Sequence, residues 1–196
     1  MKHRGILHFF ILIVLLISIT AVSAVDLNDT VSHGEKSYDE LNFKINDEDS
    51  NFTFESNYKF NGESDKNYSS GINITNANFI INGNNHRIDC NGQSRAFYIT
   101  GKNVVINNLI IENGFYGYGS AIRTDSQLTL NNVTFINCMG DNETYSGGAV
   151  YSYRTTLNIN NCHFIDNGGE NGASLTCLRS TVNVANSTFI SSSDKI

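Results

Sequence analysis

From Ile72 onward, short apolar stretches alternate in and out with a period of two, and Asn, Gly and Asp separate them. Laid on itself, this half of the chain gives one pattern five times. It reads Ile72-x-Ile74-x-Asn76-x-x-Phe79, then Val104-x-Ile106-x-Asn108-x-x-Ile111, then Leu128-x-Leu130-x-Asn132-x-x-Phe135. Leu157-x-Ile159-x-Asn161-x-x-Phe164 and Val182-x-Val184-x-Asn186-x-x-Phe189 complete the set. The Asn-to-Asn steps are 32, 24, 29 and 25 residues. A second motif keeps step with the first: Ala96-Phe97-Tyr98, Ala121-Ile122-Arg123, Ala149-Val150-Tyr151 and Ala173-Ser174-Leu175 precede the next Asn by 12, 11, 12 and 13 residues.

Period two with β-branched and aromatic residues specifies strands rather than helices. No two strands of a repeat are joined by a two-residue hairpin, so a meander is excluded. A repeat of this size cannot bury its own apolar face and must stack on the next. The pattern therefore predicts an all-β fold. It is a right-handed parallel β-helix solenoid of about five coils, three short strands each, with insertions at the corners. Stacking turns sequence positions into columns. Phe79, Ile111, Phe135, Phe164 and Phe189 become an apolar ladder, each side chain worth ~1.5–3 kcal/mol if fully buried. Asn76, Asn108, Asn132, Asn161 and Asn186 become an amide ladder at a turn, each carbonyl accepting from the amide of the next rung.

The flanks carry different patterns. Ser37-Tyr38-Asp39-Glu40 fits a helix capping box, and Leu41 and Ile45 follow on one face, so Ser37–Ile45 reads as a short N-terminal capping helix over the first rung. Phe52, Phe54, Tyr58 and Phe60 read as irregular strands of the same cap. At the other end the fifth repeat stops at Phe189-Ile190 with no cap, which calls for further repeats or a partner there. Residues 1–24 read as a signal peptide: Lys2 and Arg4, an unbroken apolar run Phe9–Ile17, then Val22-Ser23-Ala24 as cleavage site. An uncleaved anchor is the alternative. Residues 25–70 are then leader and cap, and 71–196 the repeats.

Composition narrows the function classes. There are 29 Asn and no Pro or Trp, with 40% hydrophobic and 16% charged residues. The regular apolar spacing argues against disorder. Net charge is -6 and the chain has no basic patch, which makes it a poor candidate for nucleic acid as partner, and that class is set aside. Seven Asn-x-Ser/Thr sequons occur, at Asn28, Asn51, Asn67, Asn73, Asn132, Asn142 and Asn186. Those at Asn132 and Asn186 fall in the amide ladder, so Asn28, Asn51, Asn67 and Asn142 are the glycosylation candidates.

Gly147-Gly148-Ala149-Val150-Tyr151 followed by Phe164-Ile165-Asp166-Asn167 resembles the GGA(I/V) and FxxN repeats of polymorphic outer-membrane proteins and archaeal adhesin-like proteins. Ile81-Asn82-Gly83-Asn84-Asn85-His86-Arg87-Ile88-Asp89 resembles the opening of their β-helix. The resemblance spans roughly 41–190 and places the chain near the wider pectin-lyase-like group. It implies adhesion, with cell-envelope, host or neighbour-cell glycans or proteins as partners and a secreted or cell-surface location.

The rival class is a carbohydrate lyase or hydrolase, or an inactive relative that binds glycan; the enzymes need carboxylates converging on one face. Asp89, Glu112, Asp125, Asp141, Glu143, Asp166 and Glu170 read as different columns. Asp125, Arg154 and Arg179 share one, three residues before a ladder strand, and read as a corner salt bridge between rungs rather than a lyase-like Asp/Arg cluster. The expectation is a non-catalytic chain with no cofactor. His33, His86 and His163 lack metal-ligand spacing among themselves or with Cys. Cys90, Cys138, Cys162 and Cys177 allow three disulfide pairings, with small buried thiols as the alternative. In the loop Gly114–Gly119, Phe115, Tyr116 and Tyr118 are candidate ligand contacts, or else pack over the side of the solenoid.

Overall fold

The computed structural model describes residues 34–141, 147–169 and 172–192. Within these, strands from successive coils pair in parallel throughout, in two sheets. The first face of each coil is Ile72–Ile74, Phe97–Ile99, Ile122–Thr124, Val150–Tyr153 and Leu175–Leu178. The second face carries Asn51–Thr53, Ile80–Asn82, the leading halves of Val104–Glu112 and Leu128–Ile136, then Thr156–Asn160 and Thr181–Ala185. The third has Tyr58–Lys59, Arg87–Asp89, the trailing halves of the two long strands, His163–Ile165 and Thr188–Ile190. This is the expected β-solenoid of about five coils. Alternate residues point inward, as in Val104–Glu112, whose buried positions are Val104, Ile106, Leu109 and Ile111.

One register differs from the sequence pattern. Ile72–Ile74 pairs with Phe97–Ile99, not with Val104, so the first unit belongs to a different face from the other four. Ile80, Ile81 and Asn82 pair with Val105, Ile106 and Asn107, and Ile88 pairs with Ile111. Phe79 is buried but lies one step before Ile80, beside Val104, and so is not in the apolar ladder. Asn76 is outside the amide ladder, its side chain donating to the Glu48 carbonyl at 3.0 Å. The cause is the loop Gly83–His86, which lengthens the corner between Asn82 and Arg87 and breaks the spacing used to align the first unit. Period two marks a strand but not which of three faces it joins.

The ladder itself runs Tyr58, Ile88, Ile111, Phe135, Phe164, Phe189. Phe135 and Phe164 stack with ring centres 4.8 Å apart, Phe164 and Phe189 at 4.7 Å, which is the rung spacing itself. The amide ladder runs Asn82, Asn108, Asn132, with Asn108 Nδ2 donating to Asn82 at 3.2 Å and Asn132 Nδ2 to Asn108 at 2.9 Å. Asn161 and Asn186 occupy the same corner in the next two coils, with φ of 54° and 50°.

The helix spans Tyr38–Asn46, with Ser37 as N-cap accepting from the Glu40 N–H at 3.2 Å. Only half of the expected box forms, because the Glu40 carboxylate turns to Lys36 at 2.7 Å. Tyr38, Leu41 and Ile45 bury against the core. Phe52, Phe54, Tyr58 and Phe60 are also buried, and their segments form two faces of an additional, incomplete coil beneath the first full one. At the far end, the last coil leaves Val184, Phe189 and Ile190 about half exposed. Cys90, Cys138 and Cys162 are buried free thiols and Cys177 an exposed one. No helix among the described residues is long and apolar enough to cross a membrane. The proposed signal peptide, with Asn28 and His33, lies outside the described residues.

Candidate functional site

Outward positions of the first face fall into one column by strand register: Asn73, Tyr98, Arg123, Tyr151, Thr176. Their inward neighbours Phe97, Ile99, Ile122 and Val150 are fully buried, which fixes the direction of the column. The Arg123 guanidinium lies 5.0 Å from the Tyr98 ring centre, 5.8 Å from Tyr118 and 5.9 Å from Tyr151. Tyr118 meets Tyr151 edge-on at 5.3 Å. Asp125 accepts from Arg123 Nε at 3.3 Å, from its Nη2 at 3.1 Å and from the Tyr98 hydroxyl at 2.7 Å. This last bond is the main cause of the raised Tyr98 pKa. Burial works against the charge of Arg123, but Asp125 outweighs it, and the Arg123 pKa is raised.

The loop Gly114–Gly119 is held over this column by a sequestered cation. Arg95 is 2% exposed and meets backbone carbonyls rather than a carboxylate. Nε donates to Gly119 at 2.6 Å, Nη1 to Ser70 at 3.1 Å, and Nη2 to Tyr118 at 3.0 Å and to Gly117. Tyr116 stacks on the Arg95 guanidinium at 4.5 Å. Burial, with Arg123 nearby, lowers the Arg95 pKa to about 10, so it remains charged at neutral pH. Gly119 has φ of 86°, and a Cβ there would strike the Ile122 carbonyl, so the loop can close on the sheet only with glycine. Tyr116 is thus half-buried as a clamp, while Phe115 and Tyr118 remain 44% and 38% exposed.

Of the residues expected at a site, Tyr116 and Tyr118 join this cluster. Phe115 is 44% exposed, and its backbone bridges to Met139 in the next coil. Tyr98, Arg123, Tyr151 and Arg95 were not singled out as contacts; the Ala-Phe-Tyr, Ala-Ile-Arg and Ala-Val-Tyr motifs were the available signal, since each ends on the outward position. The corner column behaves differently from the sequence reading. Asp125 pairs with Arg123 of its own coil, not with Arg154. The offset between coils is 28 residues along the first face and 29 along the second, so an extra corner residue slides Arg154 past Asp125. Arg154 packs on Tyr153 at 4.9 Å instead.

No family model, curated protein or solved structure matches the chain. The site must be read from its own chemistry.

A second charged group corrects the column assignment of the acids. Asp89 and Glu112 are register neighbours on the third face, not in different columns. Lys59 Nζ meets Asp89 at 2.8 Å and Arg87 meets Glu112 at 3.1 Å. Burial pushes the Asp89 pKa up, but Lys59, Asn113 and the Asn91 N–H outweigh it, leaving it lowered. Burial raises that of Glu112. A wide, open depression nearby is bounded by Lys36, Lys59, Asn61 and Asn91 at the cap end, away from the tyrosines. Among the described residues no group of three or more His, Cys, Asp or Glu is placed to hold a metal ion.

The sequons separate by what their amides do. Asn67 and Asn73 are exposed, Asn73 heading the tyrosine column. Asn51 is exposed with Nδ2 on Ser50 at 3.1 Å, and Asn132 Nδ2 is held in the ladder. Asn142 lies outside the described residues.

Proposed function

We propose that the chain is an exported, cell-surface β-solenoid that adheres by laying carbohydrate on the outer side of its first face, without turning it over. The observation that carries this reading is the column Tyr98, Arg123, Tyr151 with Tyr118 edge-on beside it. The exposed Tyr118 ring and the partly exposed Tyr98 ring offer apolar area to the C–H faces of sugar rings, backed by Tyr151, which is only 5% exposed, while Arg123 and the tyrosine hydroxyls supply polar partners at their edges. The column stands on three paired parallel strands and Arg95 holds the Tyr118 carbonyl, so few groups need ordering on binding. Asp125 is already engaged by Arg123 and Tyr98, which suits it to orienting these groups rather than to moving protons. The N-terminal pattern Lys2, Phe9–Ile17, Val22-Ser23-Ala24 supports export.

The test is binding of the purified chain to arrayed glycans and cell-envelope polysaccharides. Tyr118→Ala and Tyr98→Ala should each weaken binding at least roughly tenfold, the loss of one well-placed aromatic contact, while the strand signal in circular dichroism is kept. A folded chain that binds no glycan would sink the reading.

The Asp89–Glu112 neighbours favour a second reading, a carbohydrate-active solenoid, because two adjacent carboxylates with opposite pKa shifts are the raw material of acid–base catalysis. Lys59 and Arg87 engage both, which favours adhesion. New reducing or unsaturated ends in any polysaccharide, lost in Glu112→Gln, would replace adhesion by catalysis.

A further inference from the structure

Resting on that reading, we propose that the ligand is an anionic glycan, carboxylated or sulfated, lying along the solenoid axis with its acidic groups on Arg123, Arg154 and Arg179.

Three observations lead there. First, Arg123 is a fork with one tine engaged. Nε and Nη2 are held by Asp125, and among the described residues Nη1 has no acceptor. Its side chain is 32% exposed and walled by three tyrosine rings. A guanidinium so placed presents its remaining donors to a planar or tetrahedral oxyanion.

Second, Arg154 and Arg179 are stacked on neighbouring rungs. Tyr153 pairs with Leu178 and Thr156 with Thr181, both with an offset of 25 residues, so the two arginines share one corner position without slippage. Both have the same left-handed backbone, φ 52° and 54°, and both are exposed. Among the described residues neither has a salt bridge. Like charges stacked one rung apart are unfavourable unless an anion lies between them.

Third, the molecule as a whole segregates charge. Arg123, Arg154 and Arg179, three of the five described arginines, lie partly or fully exposed on the first face or at its exit corner, in a chain of net charge -6. The cap end carries Glu35, Asp39, Glu40, Asp47, Glu48 and Asp49 in excess over Lys36, Lys44, Lys59 and Lys66. The basic strip was invisible along the chain because its members are 25–31 residues apart and only the coiling assembles them. Arg154 and Arg179 are one rung, about 4.8 Å, apart at the exit corner, and Arg123 lies on the strand of the rung before them.

A glycan fits better than a nucleic acid. The strip has few cations, Arg95 is wholly internal, and Arg123 sits among rings sized for sugars. A phosphate backbone calls for many exposed cations and no acidic cap at the end of the track.

The experiment uses the full chain with four immobilised probes: alginate, dextran sulfate, unmodified dextran and single-stranded DNA. Expected is binding to alginate or dextran sulfate at least tenfold tighter than to dextran, weakening as NaCl rises from about 50 to 500 mM. Which of the two is preferred identifies the acidic group. Arg154→Gln/Arg179→Gln should reduce binding to the acidic polymer at least tenfold with Tm unchanged or raised, since these side chains are exposed and mutually repulsive. Arg123→Lys should fall short of wild type, as an ammonium cannot use both Asp125 and a ligand in one plane. Equal binding to dextran would overturn the anionic ligand while leaving adhesion standing. DNA bound more tightly than either acidic polymer would overturn the glycan. Binding to none of the four probes would overturn the anionic ligand, and the glycan array then decides adhesion separately.

Discussion

Corners between faces require a turn within one or two residues, and this chain makes most of them with a single residue at φ near +50°. Among the described residues, fifteen non-glycine residues have positive φ, and eleven of them are Asn. Asparagine tolerates this region better than other L-residues, because its short amide can bond locally. The same amides then bond along the axis: Asn103 to Asn78, Asn132 to Asn108, Asn137 to Asn113. The abundance of Asn thus has two causes at once, backbone and ladder, and substitution separates them. Asn108→Gly keeps the turn and loses the ladder, whereas Asn108→Ala loses both and bears an additional left-handed penalty of about 1–2 kcal/mol. Chemical denaturation should therefore rank wild type above Asn108→Gly above Asn108→Ala. Equal losses for the two variants would show that backbone strain is not a factor. A second residue-scale expectation concerns acid. The Asp89 pKa is lowered in the fold, by Lys59, Asn113 and the Asn91 N–H against burial. A depressed carboxylate contributes stability that is present above its unfolded pKa, about 3.9, and is lost as pH falls through the lower folded value. Tm measured from pH 7 down to pH 2 should thus fall below about pH 4, and Asp89→Asn should flatten that fall while lowering Tm at pH 7.

Strands and cap differ in how far the sequence announces them. The recurring Leu-x-Ile-x-Asn-x-x-Phe pattern is sufficient to place four of the six second-face strands, because each has the same span from apolar pair to corner Asn. It misplaced Ile72–Ile74, whose local pattern is identical but whose partner is Phe97–Ile99. Nothing within eight residues distinguishes the two; the face is decided by the neighbouring rung. The tyrosine–arginine column was equally hidden, since Tyr98, Arg123 and Tyr151 become neighbours only through register. The helix start was legible at Ser37, but its strongest tether was not. Asp65 is fully buried and accepts from the N–H groups of Tyr38 at 3.1 Å, Asp39 at 3.2 Å and Asn61 at 2.8 Å. It places a negative charge at the positive end of the helix and joins that end to the chain 27 residues on. Asp65→Ala leaves three N–H groups without an acceptor and should cost about 3 kcal/mol. Because the cap closes the first coil, exposed apolar surface should increase as well, read as dye binding before the main unfolding transition. A single transition at the wild-type midpoint would show the tether to be dispensable.

At the scale of the whole molecule, a solenoid has a property that a globular core lacks: each coil touches only its neighbours, so stability is close to a sum of coil and interface contributions. Val104 and Leu128 occupy the same position in consecutive coils, and every pair from Val104↔Leu128 to Glu112↔Ile136 keeps that alignment except at the corner Asn itself. Removing residues 104–127 would join Asn103 to Leu128 in the place Val104 held. The first-face strand Phe97–Ile99 would then lead into the second face one rung later, with inward residues still inward. The shortened chain should fold, keep its parallel-strand circular dichroism, and unfold at lower denaturant with a smaller slope, since less surface is exposed on unfolding. Removing only residues 104–115 takes the same kind of sequence but half a turn of it. Asn103 would then run into Tyr116, no second or third face would remain for that coil, and Leu128 would have nothing beneath it. That chain should aggregate. If both deletions aggregate, the coils are not independent units and the fold is held by a longer-range core; if both fold, register between rungs is looser than the stacked Phe135, Phe164 and Phe189 rings imply. Loss of only the half-coil variant is the outcome that nearest-neighbour stacking demands.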